Sequence, residues 1–281
     1  MIRNGDPLIT RETLSCAMAS HPEFASVPKV AVSIITMADD RGASFGDLAK
    51  LIETEPELSK RIIDIANSSS YGFRREITSI SHAVVLLGWN AIKMVALGSS
   101  ILTNMFGRNT RLFNHSMLTA QIARFLATEA NFYKVEEIAV VGLLHDIGSI
   151  ILEMCFPDEF ATVRQAMIDK GIPMHIAERE LLGLDHGTIG GWTLEEWNLP
   201  DNIVESIARH HSFDPGTYHA RKTAVIHVAD VFALAADYKG PSWEKVPEVS
   251  EDALDILGFT NSELKDIFIT IMNMKLEPLI V

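Results

Sequence analysis

The chain contains only two cysteines, Cys16 and Cys155, among its 281 residues. Two thiols cannot build a framework of disulfides, and the chain lacks the paired thiolates of a typical structural zinc site. Such sparse cysteine usage is typical of a reducing compartment. We therefore expect a cytoplasmic protein.

Basic residues are also scarce. Lys and Arg number 24 against 37 Asp and Glu, which gives a net charge of −13 at pH 7. Binding to a nucleic-acid backbone depends on Lys and Arg that neutralise phosphates, so we expect no nucleic-acid partner. No basic-then-apolar leader opens the chain, and charge or His interrupts each long apolar stretch before the ~20 residues that a spanning helix needs. We therefore expect no membrane partner.

Strand alternation is hardly seen, whereas apolar residues recur at helical spacing along most of the chain. This pattern predicts an all-α fold, and Thr54 with Glu57 forms a capping-box pattern around Pro56 that predicts a helix start. A Gly-rich phosphate loop is absent, because GTIGG at 187–191 lacks a following Lys and instead predicts closely packed helices. Composition breaks suggest three parts, with the first two packed as one unit: an N-terminal helical region (1–107), a central helical region (108–237) and a C-terminal helical addition (238–281).

The chain does contain an unusual set of His and Asp residues in its central region. The gaps between them are long, so they must come from different helices if they converge. The set consists of His115, His145, Asp146, His186, His210, His211 and Asp230.

Two of these carboxylates lie in strongly apolar surroundings. Asp146 lies in VEEIAVVGLLHDIGSIIL (135–152), which predicts one buried helix, and Asp230 lies in the similarly apolar AVIHVADVFALAAD (224–237). An ionised carboxylate buried without a partner costs several kcal/mol or more, so something must compensate each of them. His227, one helical turn before Asp230, is one candidate partner for that carboxylate.

Imidazoles and carboxylates are ligands that suit divalent zinc, iron or manganese. All seven residues together fit two ions better than one. Asp146 would bridge the ions and take part in catalysis, with His115, His145 and Asp230 on one ion and His186, His210 and His211 on the other. Two such ions can hold the attacking and leaving oxygens of a phosphoryl substrate. Taken singly, His115 also fits a core histidine, and a His pair at a helix end is favoured by the helix dipole without any metal.

Several segments resemble the HD superfamily of metal-dependent phosphohydrolases, and more closely its HDOD branch. The resemblance rests on GLLHDIG around His145 and on three longer segments: TEPELSKRIIDIANSSSYGF (54–73), ITSISHAVVLLGW (77–89) and DHGTIGGWTLEEWNLPDNIVESIARHH (185–211). It implies an HD-like multi-helix bundle with an N-terminal helical region packed against it. It also implies a role in bacterial signal transduction.

Two departures from related proteins bear on function. The HD-GYP phosphodiesterases carry a Lys just after the HDIG segment and a GYP tripeptide after the His pair, whereas this chain has Ser149 and SFDPGTYHARK (212–222) there. We therefore expect little or no cleavage of cyclic dinucleotides. Two hypotheses stay open: a phosphohydrolase acting on a small phosphoester, or a catalytically silent module with a structural metal that binds a signalling protein through its N-terminal helices and the ANSSSYGF segment (66–73). Catalysis requires a metal site that opens onto a pocket, whereas a structural metal needs no such opening.

Overall fold

A computed structural model describes residues 7–21, 24, 30, 33–34, 36–37, 42–67, 75–97, 110–133, 135–237 and 245–273. All regular secondary structure in these ranges is helical, which confirms the predicted all-α class. The proposed boundary at 107/108 falls outside the described residues, as does most of the ANSSSYGF segment, and the boundary at 237/238 lies where a described range ends at Asp237.

The described residues of the N-terminal part form four helices: α1 (Arg11–Ala19), α2 (Phe45–Glu53), α3 (Pro56–Ala66) and α4 (Ile80–Leu97). The side chains of Thr10 and Ser44 cap α1 and α2 by accepting backbone N–H bonds. The predicted capping box at Thr54 is wrong. Thr54 instead closes α2, where its hydroxyl donates to the carbonyl of Leu51 at 2.7 Å, and α3 begins at Pro56, which has no N–H to satisfy.

The described residues of the central part form eight helices that enclose the main core. They are α5 (Thr110–Glu129), α6 (Val135–Leu144), α7 (Ile147–Cys155), α8 (Pro157–Lys170), α9 (Met174–Leu182), α10 (His186–Glu196), α11 (Asp201–Ala208) and α12 (Ala220–Asp237). Helix α5 packs against α6 and α12, and α10 packs against α7 and α11.

The apolar segment 135–152 is not the single helix that its composition predicts. Helix α6 ends at Leu144 and α7 begins at Ile147, so His145 and Asp146 lie in the turn between them. Asp146 has φ −94° and ψ 13°, which breaks the helical path and lets two adjacent side chains point to one place. Residues Glu137–Cys155 are long and apolar enough to cross a membrane, and 83% of this stretch is buried inside the protein.

Glycine permits the close contact between α7 and α10. A Cβ atom at Gly148 would lie 1.9 Å from the carbonyl oxygen of His186, and one at Gly190 would lie 3.1 Å from a methyl carbon of Ile147. At Gly191 a Cβ would lie 2.6 Å from that of Ala208 on α11. The prediction that GTIGG allows close helix packing is confirmed.

The N-terminal part packs against the central helices, as predicted. Arg11 on α1 forms an ion pair with Glu195 on α10, and the Ser15 hydroxyl donates to Glu196 at 2.9 Å. The backbone N–H of Leu8 donates to the carbonyl of Leu182 at 2.9 Å.

Among the described residues after the central part are two further helices, α13 (Glu251–Leu257) and α14 (Asn261–Asn273). Helix α13 packs on α12, and the ring of Phe268 on α14 lies 5.0 Å from that of Phe232 on α12. The C-terminal addition therefore supports the helix that carries Asp230.

Candidate metal centre

The structure brings all seven candidate ligands into one cluster in the interior. Helix α5 supplies one, the α6–α7 turn two, the start of α10 one, the segment after α11 two and α12 the last. Their side chains are at most about one-tenth exposed. In chain order they are His115, His145, Asp146, His186, His210, His211 and Asp230.

The two oxygens of Asp146 face different histidines. Oδ2 lies 3.5 Å from Nε2 of His115 and 3.4 Å from Nε2 of His145, while Oδ1 lies 3.1 Å from Nε2 of His186. This is the arrangement that a bridging carboxylate requires, and the bridge itself stays a prediction.

Asp230 also reaches two sides of the cluster. Its Oδ1 lies 3.0 Å from Nε2 of His115 and 3.5 Å from Nε2 of His145. Its Oδ2 lies 3.8 Å from Nδ1 of His211, too far for a hydrogen bond. The donor atoms thus form one continuous group, in which ligand atoms of His145, His210 and Asp230 also lie close to one another.

Hydrogen bonds on the outer side of the rings fix three of the histidines. Nδ1 of His145 donates to the carbonyl of Gly142 at 2.8 Å, and Nδ1 of His210 donates to that of Ile207 at 2.6 Å. Nδ1 of His186 lies 2.7 Å from a carboxylate oxygen of Glu178. Carbonyls and carboxylates only accept, so each of these Nδ1 atoms carries a proton and each Nε2 atom is directed inward, where it can coordinate a metal ion once it is deprotonated.

Glu178 is the residue that sequence reasoning missed. It is fully buried on α9, and the same oxygen also accepts the backbone N–H of His186 at 2.8 Å. Its position was detectable, because His175, Glu178 and Leu182 share the buried face of α9 at helical spacing. A carboxylate on such a face indicates a polar partner.

A second contact set holds the backbone near the cluster. Asp185 caps α10 by accepting the N–H of Thr188 at 2.9 Å, and Arg179 donates both to Asp185 and, at 3.1 Å, to the carbonyl of His211. Burial alone would raise the pKa of Asp185, but His186 and Arg179 lower it to about 2. Arg179 therefore links α9 to the two segments that carry His186 and His211.

Three buried carboxylates meet at this centre without a Lys or Arg partner in the described part of the chain: Asp146, Asp230 and Glu178. Burial lowers the pKa of His186, but Glu178 and Asp146 on either side outweigh burial and raise it well above its usual value. For Asp146 the directions are reversed: burial alone would raise the pKa of this carboxyl, but His145 and His186 lower it below its usual value. The carboxylates therefore favour a positive charge among them, which a proton or a metal ion can supply.

The donor set fits a metal ion. Nε2 of His210 and Oδ2 of Asp230 are buried and have no hydrogen-bond partner among the described residues, which is energetically costly unless a cation takes their lone pairs. Two donors on one ion, with bonds of ~2.1 Å, lie about 3.0–3.4 Å apart. The Nε2 atoms of His115 and His145, 3.2 Å apart, lie within this range, and those of His186 and His211, 2.8 Å apart, lie just below it. These clusters could therefore bind metal.

Two other histidines support the cluster without belonging to it. The suggested pairing of His227 with Asp230 is wrong: Nδ1 of His227 donates to the carbonyl of His210 at 2.9 Å, and its Nε2 accepts the N–H of Ser250 at 3.0 Å. His175 stacks on His211 at 4.1 Å with ring planes 13° apart. Burial lowers the pKa of His175 to about 4, so this ring is neutral at pH 7.

The cluster opens on one side into a cavity of about 310 Å³. His115, Asp146, His186, His211 and Asp230 form part of its wall. Ser149, which is buried on α7, lines the same cavity. The metal-ligand atoms are therefore accessible from a space of small-molecule size.

The family model of the HDOD domain matches residues 24–213. The chain belongs to the HDOD domain family. The match includes six of the seven clustered residues, and Asp230 lies beyond it. A protein of Treponema pallidum (strain Nichols), itself named as uncharacterized, is 21% identical over 194 residues, and the matched region spans 68% of this chain and 38% of that protein.

Three solved structures share the fold. An HDOD domain protein of unknown function from Geobacter sulfurreducens is 24% identical, with a TM-score of 0.68 and coverage of 96% of this chain and 98% of that one. A candidate signal transduction protein from Marinobacter aquaeolei VT8 is 20% identical, with a TM-score of 0.75 and coverage of 95% and 65%. A candidate phosphohydrolase from Shewanella amazonensis SB2B is 20% identical, with a TM-score of 0.70 and coverage of 94% of both chains.

Proposed function

We propose that this HDOD protein is a metal-dependent phosphohydrolase that acts on a small phosphoester. The observation that carries the proposal is a buried His/Asp cluster whose donor atoms border a cavity. A structural metal needs no such opening, whereas a catalytic one does. The name of the Shewanella amazonensis relative agrees with this class of reaction.

The seven clustered residues would hold two divalent ions of iron, manganese or zinc. Asp146 would bridge them, with His115, His145 and Asp230 on one side and His186, His210 and His211 on the other. Ions bound there would stabilise charge on phosphoryl oxygens and supply an activated water at neutral pH.

The chain's own residues prepare the site for this chemistry. The carbonyls of Gly142 and Ile207 and the carboxylate of Glu178 hold three imidazoles in the tautomer that leaves Nε2 free to coordinate. Burial keeps bulk water from the carboxylates of Asp146 and Asp230, which strengthens every charge interaction in the site. The groups that would bind the ions are thus oriented before the substrate arrives.

Substrate size argues against cyclic dinucleotides. A cavity of about 310 Å³ lies at the lower end of the ~300–1,000 Å³ typical of ligand pockets. Ser149 contributes only a neutral hydroxyl to its wall, where the related phosphodiesterases place a Lys. A phosphoester with one small ester group is the better fit.

A silent signalling module with a structural metal is the second candidate, supported by the name of the Marinobacter aquaeolei relative and by Ser149. The two candidates differ in turnover but not in metal content. Elemental analysis of protein purified without chelators should find at least one ion per chain, and Asp146→Asn should lose it. Steady-state assays against small phosphomonoesters then decide: turnover that disappears in Asp146→Asn supports the enzyme, and full metal content without turnover supports the silent module. Less than about a tenth of an ion per chain would refute both.

A further inference from the structure

The cavity above the cluster is bordered by a cation from a helix that contributes no candidate ligand. Arg164 lies on α8 and lines the cavity, and its guanidinium carbon lies 6.0 Å from the centroid of the Phe160 ring. The side chain is exposed and forms no ion pair with any residue that the structure describes. Its charge is therefore available to a ligand.

The spacing of Arg164 explains why it faces the cavity. Phe160, Arg164 and Met167 lie at positions i, i+4 and i+7, so they share one face of α8, and all three line the cavity. Phe160 and Met167 are buried, and Met174 at the start of α9 continues the apolar wall. One helix face thus presents a positive charge between two apolar side chains.

The cavity therefore combines three chemical surfaces. Metal-ligand atoms lie on one side and apolar and aromatic side chains on another, with Arg164 among the latter, and the charged side chains of Arg111 and Asp237 also line the cavity. Inorganic phosphate would use the first and third surfaces only. A phosphoester with an aromatic or apolar ester group would use all three, because the group could rest on Phe160 and the two methionines.

We infer that Arg164 binds the anionic group of an organic phosphomonoester whose aromatic or apolar ester group packs against Phe160, Met167 and Met174. This inference rests on the proposed function and names its substrate class. The related phosphodiesterases carry a Lys at the position of Ser149 on α7, which has no charge here. In this chain Arg164 on α8 would supply the positive charge instead. An arginine donates paired hydrogen bonds to phosphate oxygens, which a lysine cannot do.

The test is the binding of phenylphosphonate, a non-hydrolysable probe, to the metal-loaded protein by calorimetry. Arg164→Gln should weaken binding about tenfold to a hundredfold, as expected for the loss of charge-assisted hydrogen bonds. The affinity of Arg164→Lys for the probe should lie between those of Arg164→Gln and the wild type. Arg75→Gln is the matched control, since Arg75 is exposed and does not line the cavity. Added salt should weaken binding to the wild type more than to Arg164→Gln, which a purely structural role would not produce.

Methylphosphonate tests the apolar wall and should bind about tenfold more weakly than phenylphosphonate. Equal affinity of the two probes, equal affinity in Arg164→Gln and wild type, or no binding of phenylphosphonate would overturn the inference. Metal content and phosphomonoester turnover are measured on the same samples. If the protein turns over phosphomonoesters but Arg164→Gln binds phenylphosphonate as tightly as the wild type, only the inference is refuted. If the protein contains no metal and shows no turnover, yet its binding of phenylphosphonate depends on Arg164, only the proposed function is refuted.

Discussion

The contact between α7 and α10 at Gly148 predicts that a single methyl group will disrupt the candidate metal centre. In Gly148→Ala the new Cβ would lie 1.9 Å from the carbonyl oxygen of His186 and 2.7 Å from the backbone nitrogen of Gly190. Both are backbone atoms, so no flexible side chain can turn away. Reaching an ordinary contact of about 3.4 Å requires the two helices to separate by about 1.5 Å.

Two opposing effects set the size of the stability change. Alanine is favoured over glycine inside a helix by roughly 0.5–1 kcal/mol. Overpacking typically costs about 1–3 kcal/mol, and a clash between backbones belongs at the upper end of that range. We therefore expect a net loss of about 2–2.5 kcal/mol and a melting temperature that is lower by several degrees.

Metal binding should be affected more than stability. His186 is itself the residue that the new methyl group displaces, and its Nε2 lies 3.1 Å from Oδ1 of Asp146. Metal sites tolerate only ~0.2 Å of variation in ligand distance, so a shift of about 1.5 Å should remove His186 from the centre. We expect metal affinity to fall at least about tenfold, in line with the effect of disturbing a ligand's supports.

The assay compares metal content and thermal unfolding of Gly148→Ala with those of Gly46→Ala. Gly46 on α2 is the matched control, because among the described residues a Cβ there would meet only the Ser44 hydroxyl at 3.5 Å. The control should keep its metal and be as stable as the wild type or slightly more so. Wild-type metal content together with wild-type stability in Gly148→Ala would show that the helices do not approach as closely as described.

The other predictions concern charge at the cluster and in the core. Asp146→Asn keeps the shape but removes the charge and should release at least one ion, so unchanged elemental analysis would make Asp146 a core residue only. Glu178→Gln should weaken metal binding about 10- to 100-fold in competition with a chelator, and an unchanged affinity would argue against its orienting role. Lys222→Met breaks a buried ion pair with Glu137 and should lower the free energy of unfolding, measured in urea, by about 3–5 kcal/mol. The same change at the exposed Lys170 should lower it by less than about 1 kcal/mol. Cleavage of cyclic dinucleotides by metal-loaded protein should be absent or very weak, and turnover on the order of 1 per second would refute the argument from Ser149 and cavity size.

The sequence by itself determined the helical class and the composition of the candidate centre. Helical spacing of apolar residues is a local property, so it predicted the all-α fold that the structure confirms. The cost of burying Asp146 and Asp230 depends only on their apolar neighbours in the chain, and it indicated a compensating polar cluster before any contact was known. The HDIG segment and its companions carried the family resemblance, which the match over residues 24–213 confirms.

The tertiary structure decided how that centre is assembled. The apolar pattern predicted one helix over residues 135–152, because it continues unchanged across the turn that His145 and Asp146 form between α6 and α7. The partner of His227 could not be found by helical spacing either, since its bonds reach the backbone of His210 and Ser250.

Glu178 and Arg164 were missed for the same reason. Their roles depend on which neighbours they meet: a buried imidazole for Glu178, and a cavity shared with the metal ligands for Arg164. Spacing along the chain shows which residues share a helix face. Only the packing of helices against one another determines what that face contacts, because those contacts join segments that are distant in sequence.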